Sequence, residues 1–444
     1  MTNSQRRAPS DLFVSDSSSL REVTEQEFAK YKWRMLLATM FCYLFFYTGR
    51  QTFGFAIPGI QAELGLSKST LGAISGAMLW CYAVGQIVNG NLADKFGGRR
   101  VMALGAVLST MFNWFTSFSV GPRSLGALWG ANGFVQAMGF PSGGKVISGW
   151  WSTHERGKSF GFYNFAAGLA SVLAFVTSTL VVEVFDLDWR WIFRIPVLLM
   201  LVGGVVFFII ARDNPRQAKI KPPPSWEADQ DQPSKHLDSA GQTRGVKSLD
   251  RYKLMLRNPK VWVTGSALGF NNAARYGLLI WVPVYLLGSD WKSDGSKISP
   301  LWVSVALPVG MALGALVNGQ LSDRIFKSRR DYPIALFMGL GAVTALAMYL
   351  LALPILPEMG LMFLLGFFVY GPHSTFWALS TDIAGKAMAG TAIGVVNFFG
   401  YIFAGVAEPL IGHMMDITGN TALIFPVVAG VCTCSCLLAL TVRR

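Results

Sequence analysis

Two stretches decide the reading of this chain: Asn89-Gly-Asn-Leu-Ala-Asp94-Lys95-Phe-Gly-Gly-Arg99-Arg100, and Asn318-Gly-Gln-Leu-Ser-Asp323-Arg324 followed by Arg329-Arg330. Each sits between two long apolar runs, and the second repeats the pattern of the first. An internal repeat of this kind marks a chain built from two similar halves. Gly90 and Gly319 permit close helix contact. Asp94 and Asp323 can cap a neighbouring helix N-terminus or pair with a nearby arginine, Arg99 or Arg324. The four charged residues therefore read as a latch that holds one face closed.

The runs on either side of these loops set the fold class. A membrane-spanning helix needs about 20 apolar residues. Runs of that kind fall near 35–58, 70–92, 101–119, 125–147, 160–184 and 191–211, then near 261–287, 299–321, 333–353, 359–380, 389–413 and 421–441. The expectation is an all-α membrane protein with 12 transmembrane helices in two pseudo-symmetric six-helix halves. The composition agrees: of 444 residues, 52% are hydrophobic and 14% charged, and mean hydropathy is +0.42. Soluble domains carry about 25% charged residues.

Charge placement orients the chain. The net charge of +13 comes from 38 Lys and Arg against 25 acidic residues. The basic residues crowd into alternate linkers: Lys95 to Arg100, Arg156 and Lys158, Arg324 to Arg330, and Lys386. The positive-inside rule puts those linkers and both termini in the cytoplasm. The same pattern explains the basic balance without a nucleic-acid partner. The division expected is a cytoplasmic N-terminal tail at 1–32, an N-terminal half at 33–211, a flexible cytoplasmic linker at 212–258, and a C-terminal half at 259–444. The Ser-rich start lacks the early apolar segment of a cleavable signal peptide. That absence and the short linkers suggest a bacterial inner membrane.

Charges inside the spans are the functional candidates. An ionisable residue there costs roughly 2.5–3.5 kcal/mol on insertion scales. Arg50 lies in the first run and Arg275 in the seventh, the first run of each half. A pseudo-two-fold relation would set them opposite each other across a central cavity. Arginine keeps its proton, and its planar fork suits bidentate oxyanion binding. Two such groups ask for an anion with at least two negative charges. The alternative is that each pairs with a buried carboxylate, and Glu408 is the main one available. Aromatics near the arginines, Tyr276 and Trp281 among them, are pocket candidates. The remaining aromatics suit interfacial belts.

Other chemistry finds no support. The chain has no Walker loop and no nucleophile with its base. Cys432, Cys434 and Cys436 alternate without a nearby His or acid, so small residues at a helix contact are the better reading. Neither a metal nor a cofactor is expected.

The repeated loop resembles the signature loop of the major facilitator superfamily. Arg50 with the aromatic-rich segment to Pro58, and Arg275-Tyr-Gly-Leu-Leu-Ile-Trp281-Val-Pro283-Val-Tyr285, resemble the organophosphate:phosphate antiporter family. So do Ala137 to Lys145 with Trp150 to Gly157, and Tyr370-Gly371-Pro372 with Gly390 to Gly394 and Phe399 to Tyr401. The resemblance covers most of the chain outside the tail and linker. It implies the major facilitator fold, a monomer, and exchange of a phosphorylated or phosphonate organic anion for inorganic phosphate. It also implies that Arg50 and Arg275 hold the phosphate and that Tyr43, Tyr47, Tyr370 and Tyr401 line the pocket.

The departures concern the same site. Gln51 stands where the family often has Lys, Gln86 replaces a second-span Lys, and Ala167 and Asn272 stand where one branch has His and Tyr. His373, three residues after Tyr370, either replaces the lost titratable group or bonds a neighbouring helix. Glu408 is a candidate for proton coupling or charge balance. Two other readings remain open: a proton-coupled symporter of sugar-acid or other carboxylate anions, and a transporter-like sugar-phosphate sensor.

Overall fold

The structure, a computed structural model, describes residues 20–151, 156–226, 248–287, 300–326, 329–351, 353–384 and 389–442. Residues 1–19 of the expected tail, 227–247 of the expected linker, and Lys386 lie outside them. Asp94 and Asp323 fall on helices, but their side chains are outside the described set.

The first half contains α1 (Glu25–Phe46), α2 (Phe53–Leu64), α3 (Lys68–Phe96), α4 (Gly98–Thr116), α5 (Pro122–Gln136), α6 (Gly139–Trp150), α7 (Arg156–Thr179), α8 (Trp189–Ile192) and α9 (Pro196–Ile210). After α10 (Ser248–Arg257), the second half contains α11 (Pro259–Leu287), α12 (Pro300–Arg324), α13 (Asp331–Leu350), α14 (Ile355–Tyr370), α15 (His373–Ala384), α16 (Ala389–Thr418) and α17 (Ile424–Thr441). Among the described residues, eight helical stretches are long and apolar enough to cross a membrane. The other four expected runs fold as α1 with α2, α4, α5 with α6, and α11. Buried polar residues such as Asn113, Asn132, Asn271 and Arg275 lower their hydropathy. Large apolar side chains on the outer surface, including Leu104, Val202, Val205 and Ile209, are exposed, as lipid-facing positions must be.

The fourth run of each half breaks at its middle, at Ala137–Met138 and at Gly371–Pro372. The first runs differ. In the first half the helix opens after Phe46 into a 3-10 turn at Tyr47–Gly49, with Arg50 at φ −140° and ψ −22°. Its counterpart α11 runs unbroken through Arg275.

The two ends of the bundle are held differently. At the end carrying the basic loops, several bonds among the described residues join groups of the same half. Asp213 accepts from the Arg99 backbone N–H at 2.7 Å and caps α4. Gly97, at φ +91°, is needed there, because a Cβ would meet the Asp213 carboxylate at 2.3 Å. The Arg99 guanidinium donates to the Phe208 carbonyl at 2.8 Å and lies over the Phe208 ring. Arg330 donates to Ser322 at 2.8 Å and pairs with Asp382 at 3.6 Å. The first part of the expected linker is packed: the Trp226 indole donates to the Trp150 carbonyl at 2.9 Å, and Ile220–Lys221 pairs with Arg21–Glu22 as a two-stranded parallel ribbon.

At the opposite end the halves close on each other. Glycines of α3 bring backbones into contact: a Cβ on Gly72 would lie 2.4 Å from the Glu408 carbonyl, and one on Gly76 would lie 2.3 Å from the Gly405 carbonyl. A Cβ on Gly54 of α2 would meet the Ile280 carbonyl of α11 at 2.4 Å. Asp416 of α16 accepts from the backbone N–H groups of Lys68 and Ser69 at 2.9 and 2.7 Å, so a carboxylate of the second half caps the first turn of α3 in the first. Anions at a helix N-terminus are stabilising by about 0.3–1 kcal/mol when exposed. Glu63 holds the same end of the first half to its last run, through Arg190 and the Trp189 indole (2.8 Å). Those two donors keep its carboxyl at about 2.

Asp416→Ala should loosen this closure without unfolding either half. In a background with the five native cysteines replaced, Leu279→Cys, at a buried position, should react severalfold faster with a membrane-impermeant maleimide when Asp416→Ala is added. An unchanged labelling rate would show that the cap does not hold this end.

Candidate functional site

The broken first run builds one side of the site. The Gly49 carbonyl, freed from helical bonding by the break, accepts from Asn132 Nδ2 at 2.7 Å and Asn113 Nδ2 at 3.1 Å. Ser109 donates to Asn132 Oδ1 at 2.6 Å, and Gln136 Nε2 donates to Ser109 at 2.7 Å. Irregular backbone at membrane depth survives only where protein groups satisfy it. This amide cluster meets that requirement and fixes the backbone from which Arg50 projects.

Arg50 and Arg275 are both buried, at 7% and 3% exposure. Among the described residues neither pairs with a carboxylate. Their partners are phenols. The Arg50 guanidinium lies 4.0 Å from the centroid of Tyr47 and 4.9 Å from that of Tyr82, and its Nη2 donates to the Tyr43 hydroxyl at 3.5 Å. The Arg275 guanidinium lies 4.4 Å from the Tyr370 centroid and 5.0 Å from that of Tyr276. Tyr276 also lines the small space beside Arg50. A cation over an aromatic face gains up to about 2 kcal/mol when desolvated. Stacking therefore offsets part of the burial cost while leaving N–H donors open. Arg50 Nε and Arg275 Nε are buried without a hydrogen-bond partner.

Around this pair the structure gathers most of the sequence candidates. Tyr43 packs on Tyr47 and Tyr163. Tyr401 lies against Tyr82 at 4.8 Å between centroids and 3.5 Å from the Tyr276 hydroxyl. Gln51 is buried beside Arg50 with neither amide atom bonded. Asn272 is buried against Gly400, where an added Cβ would meet its Nδ2 at 2.4 Å. Gln86 is half-buried one turn beyond Tyr82. The open space beside Arg50, walled by Tyr82, Tyr276 and Tyr401, is about 10 Å³, room for roughly one water.

A larger cavity of about 470 Å³ lies between α7, α12 and α15 and includes Tyr370, His373, Gln320 and Arg324. His373 stacks on Tyr370 at 5.0 Å, and its Nδ1 is buried without a partner. Arg324 lines this cavity, whereas Arg99 is engaged within its own half.

Glu408 stands apart. It is fully buried and neighbours the Trp281 indole, yet neither its oxygens nor Trp281 Nε1 makes a hydrogen bond of good geometry. The alternative in which Glu408 neutralises an arginine has no support in this geometry. Tyr82 was missed as a wall of the site; its signal was a position four residues before Gln86, on the same helix face. The Asn113, Asn132 and Ser109 cluster was missed as well, since its partner is a carbonyl that only the break exposes.

Residues 39–408 match the family model described as Major Facilitator Superfamily. A glycerol-3-phosphate transporter of Bacillus subtilis is 30% identical over 387 residues, covering 84% of each chain. A probable hexose phosphate transport protein of Chlamydia pneumoniae is 26% identical, covering 92% of this chain and 91% of the relative. Among solved structures, a bacterial homolog of the human lysosomal transporter Spinster, inward-facing and unoccupied, superposes with a TM-score of 0.69 at 14% identity over 93% of this chain and 94% of that one. That likeness shows the fold.

Asn132→Ala should remove the shorter bond to Gly49 and leave its carbonyl undersatisfied. The expected loss is about 1–3 kcal/mol of stability, read as a lower melting temperature in detergent. An unchanged melting temperature would mean that Asn113 alone supports the break.

Proposed function

Because this chain belongs to the Major Facilitator Superfamily, among its organophosphate:phosphate antiporter-like members, we propose that it exchanges a phosphorylated organic anion for inorganic phosphate across the bacterial inner membrane. It is a membrane transporter and not an enzyme. The observation that carries the reading is the pair of buried guanidinium groups whose Nε–H donors are unbonded and which have no carboxylate partner among the described residues. A buried cation needs a counter-charge, and a phosphate dianion supplies one to each arginine.

The mechanism is alternating access by a monomer. Substrate bridges Arg50 and Arg275, with Tyr43, Tyr47, Tyr370, Tyr401, Gln51, Gln86, Asn272 and His373 around it. Binding requires the guanidinium groups to turn from the tyrosine faces toward the anion, and the site of about 10 Å³ to widen. Without an anion, two like charges in a low-dielectric interior resist being brought together. With a dianion the sign reverses, and the halves rock about the bound substrate. Only the loaded carrier reorients readily, so exchange follows. The basic end and both termini face the cytoplasm in this reading. With that orientation, the far-end closure between α3 and α16 corresponds to an inward-facing state. Asp94, Arg99, Asp323 and Arg324 act as the latch of the opposite state.

Arg50→Lys and Arg275→Lys should each reduce phosphate self-exchange in proteoliposomes by about 10–100-fold. Lysine keeps the charge but loses the fork, and hydrogen bonds to charged groups contribute about 1.5–3 kcal/mol. Exchange at the wild-type rate in either variant would sink the clamp.

A further inference from the structure

A recess of about 300 Å³ opens on the outer surface of the first half, between α4 and α9. Its floor is the buried pair Ala103 and Gly204. Its walls are Leu104 and Val107 of α4 and Val205 and Phe208 of α9, all exposed. Gly204 explains the shape. A Cβ there would lie 2.6 Å from the Ala106 Cβ, so the two helices meet with no side chain between them. The larger neighbours stand out on either side and leave a furrow. Arg100, Leu104 and Val107, at spacings of four and three, share one face of α4. The furrow therefore runs about 10 Å along the helix from its charged end.

The basic end of the furrow is charged and largely unneutralised. Arg100 is exposed and makes no hydrogen bond or ion pair among the described residues. The Arg99 guanidinium lies 4.4 Å from the centroid of the Phe208 ring and donates to the Phe208 carbonyl. Arg212 donates to the carbonyls of Ile209 and Ala211 at 2.9 and 2.7 Å, at the last turn of α9. Carbonyls satisfy N–H donors without cancelling the charge. The carboxylate at this place is Asp213, which caps the Arg99 backbone N–H. Three cations against one carboxylate leave the mouth positive. Because Asp213 already occupies the N-terminus of α4, an incoming anion meets guanidinium groups rather than helix amides.

The two ends of the furrow select one kind of molecule. A soluble anion would have no use for apolar walls that face the hydrocarbon. A neutral lipid would have no use for the arginines, and a zwitterionic headgroup would bring its own cation beside them. A guanidinium holds a phosphate by paired hydrogen bonds, and basic pockets between membrane helices take anionic headgroups. Both walls belong to one half, so an occupant would pack the α4–α9 seam without tying that half to the other.

We propose that this furrow is a site for one anionic phospholipid, with the headgroup phosphate on Arg100, added positive charge from Arg99 and Arg212, and one acyl chain laid between α4 and α9. The inference stands on this surface and not on the phosphate-clamp reading.

The test gives delipidated protein in detergent equal amounts of phosphatidylglycerol and phosphatidylcholine with the same acyl chains, and identifies the first bound lipid by native mass spectrometry. Phosphatidylglycerol should exceed phosphatidylcholine severalfold on the wild-type protein. Arg100→Gln should bring the ratio close to one, whereas Arg100→Lys, which keeps the charge, should preserve most of it. Val205→Trp fills the furrow and leaves the arginines in place, and should lower phosphatidylglycerol binding severalfold. Equal occupancy by the two lipids on the wild-type protein, or a ratio that Arg100→Gln leaves unchanged, would overturn the headgroup assignment. Undiminished phosphatidylglycerol binding by Val205→Trp would overturn the furrow as the place of the acyl chain.

Discussion

Two guanidinium groups that keep their charge lie in a membrane-embedded interior with no carboxylate beside them among the described residues, and the rest of the centre is arranged around that constraint. Tyr47, Tyr82, Tyr276 and Tyr370 give them ring faces. A carboxylate partner would have neutralised each arginine and left it with little affinity for an anion. A tyrosine face moderates the charge without satisfying the N–H donors. The arrangement is stable enough to exist without substrate and leaves hydrogen-bonding capacity to be met by an anion.

The break in the first run follows from the same need. A continuous helix, like α11 around Arg275, fixes the direction of each side chain by its helical phase. The 3-10 turn at Tyr47–Gly49 changes that phase for Arg50. Its cost is an unpaired carbonyl at membrane depth, which Asn113 and Asn132 satisfy. The two halves are thus alike in sequence pattern but not in local geometry.

The ends of the bundle show how such a molecule can hold one state and leave it. Glycine-mediated backbone contact and the Asp416 cap join α3 to α16 at one end. At the other, Arg99 and Arg330 bond within their own halves. Carboxylates meet helix N-termini at both ends: Asp213 caps α4 within the first half, and Asp416 caps α3 across the two halves.

The sequence by itself determined the membrane class, the two-half plan and the two arginines. These depend on run length, a repeat and the cost of charge in lipid, all of which are local properties of the chain. It also placed Tyr43, Tyr47, Tyr370 and Tyr401 near the site through a family resemblance. Only the tertiary structure decided that the arginines rest on tyrosines rather than on Glu408, that Tyr82 walls the site, and that α7, α12 and α15 enclose a second cavity. Those facts depend on which helices meet across the two halves. No periodicity within a single helix encodes the distance from Arg275 to Tyr370, or the break that turns the Gly49 carbonyl toward Asn132.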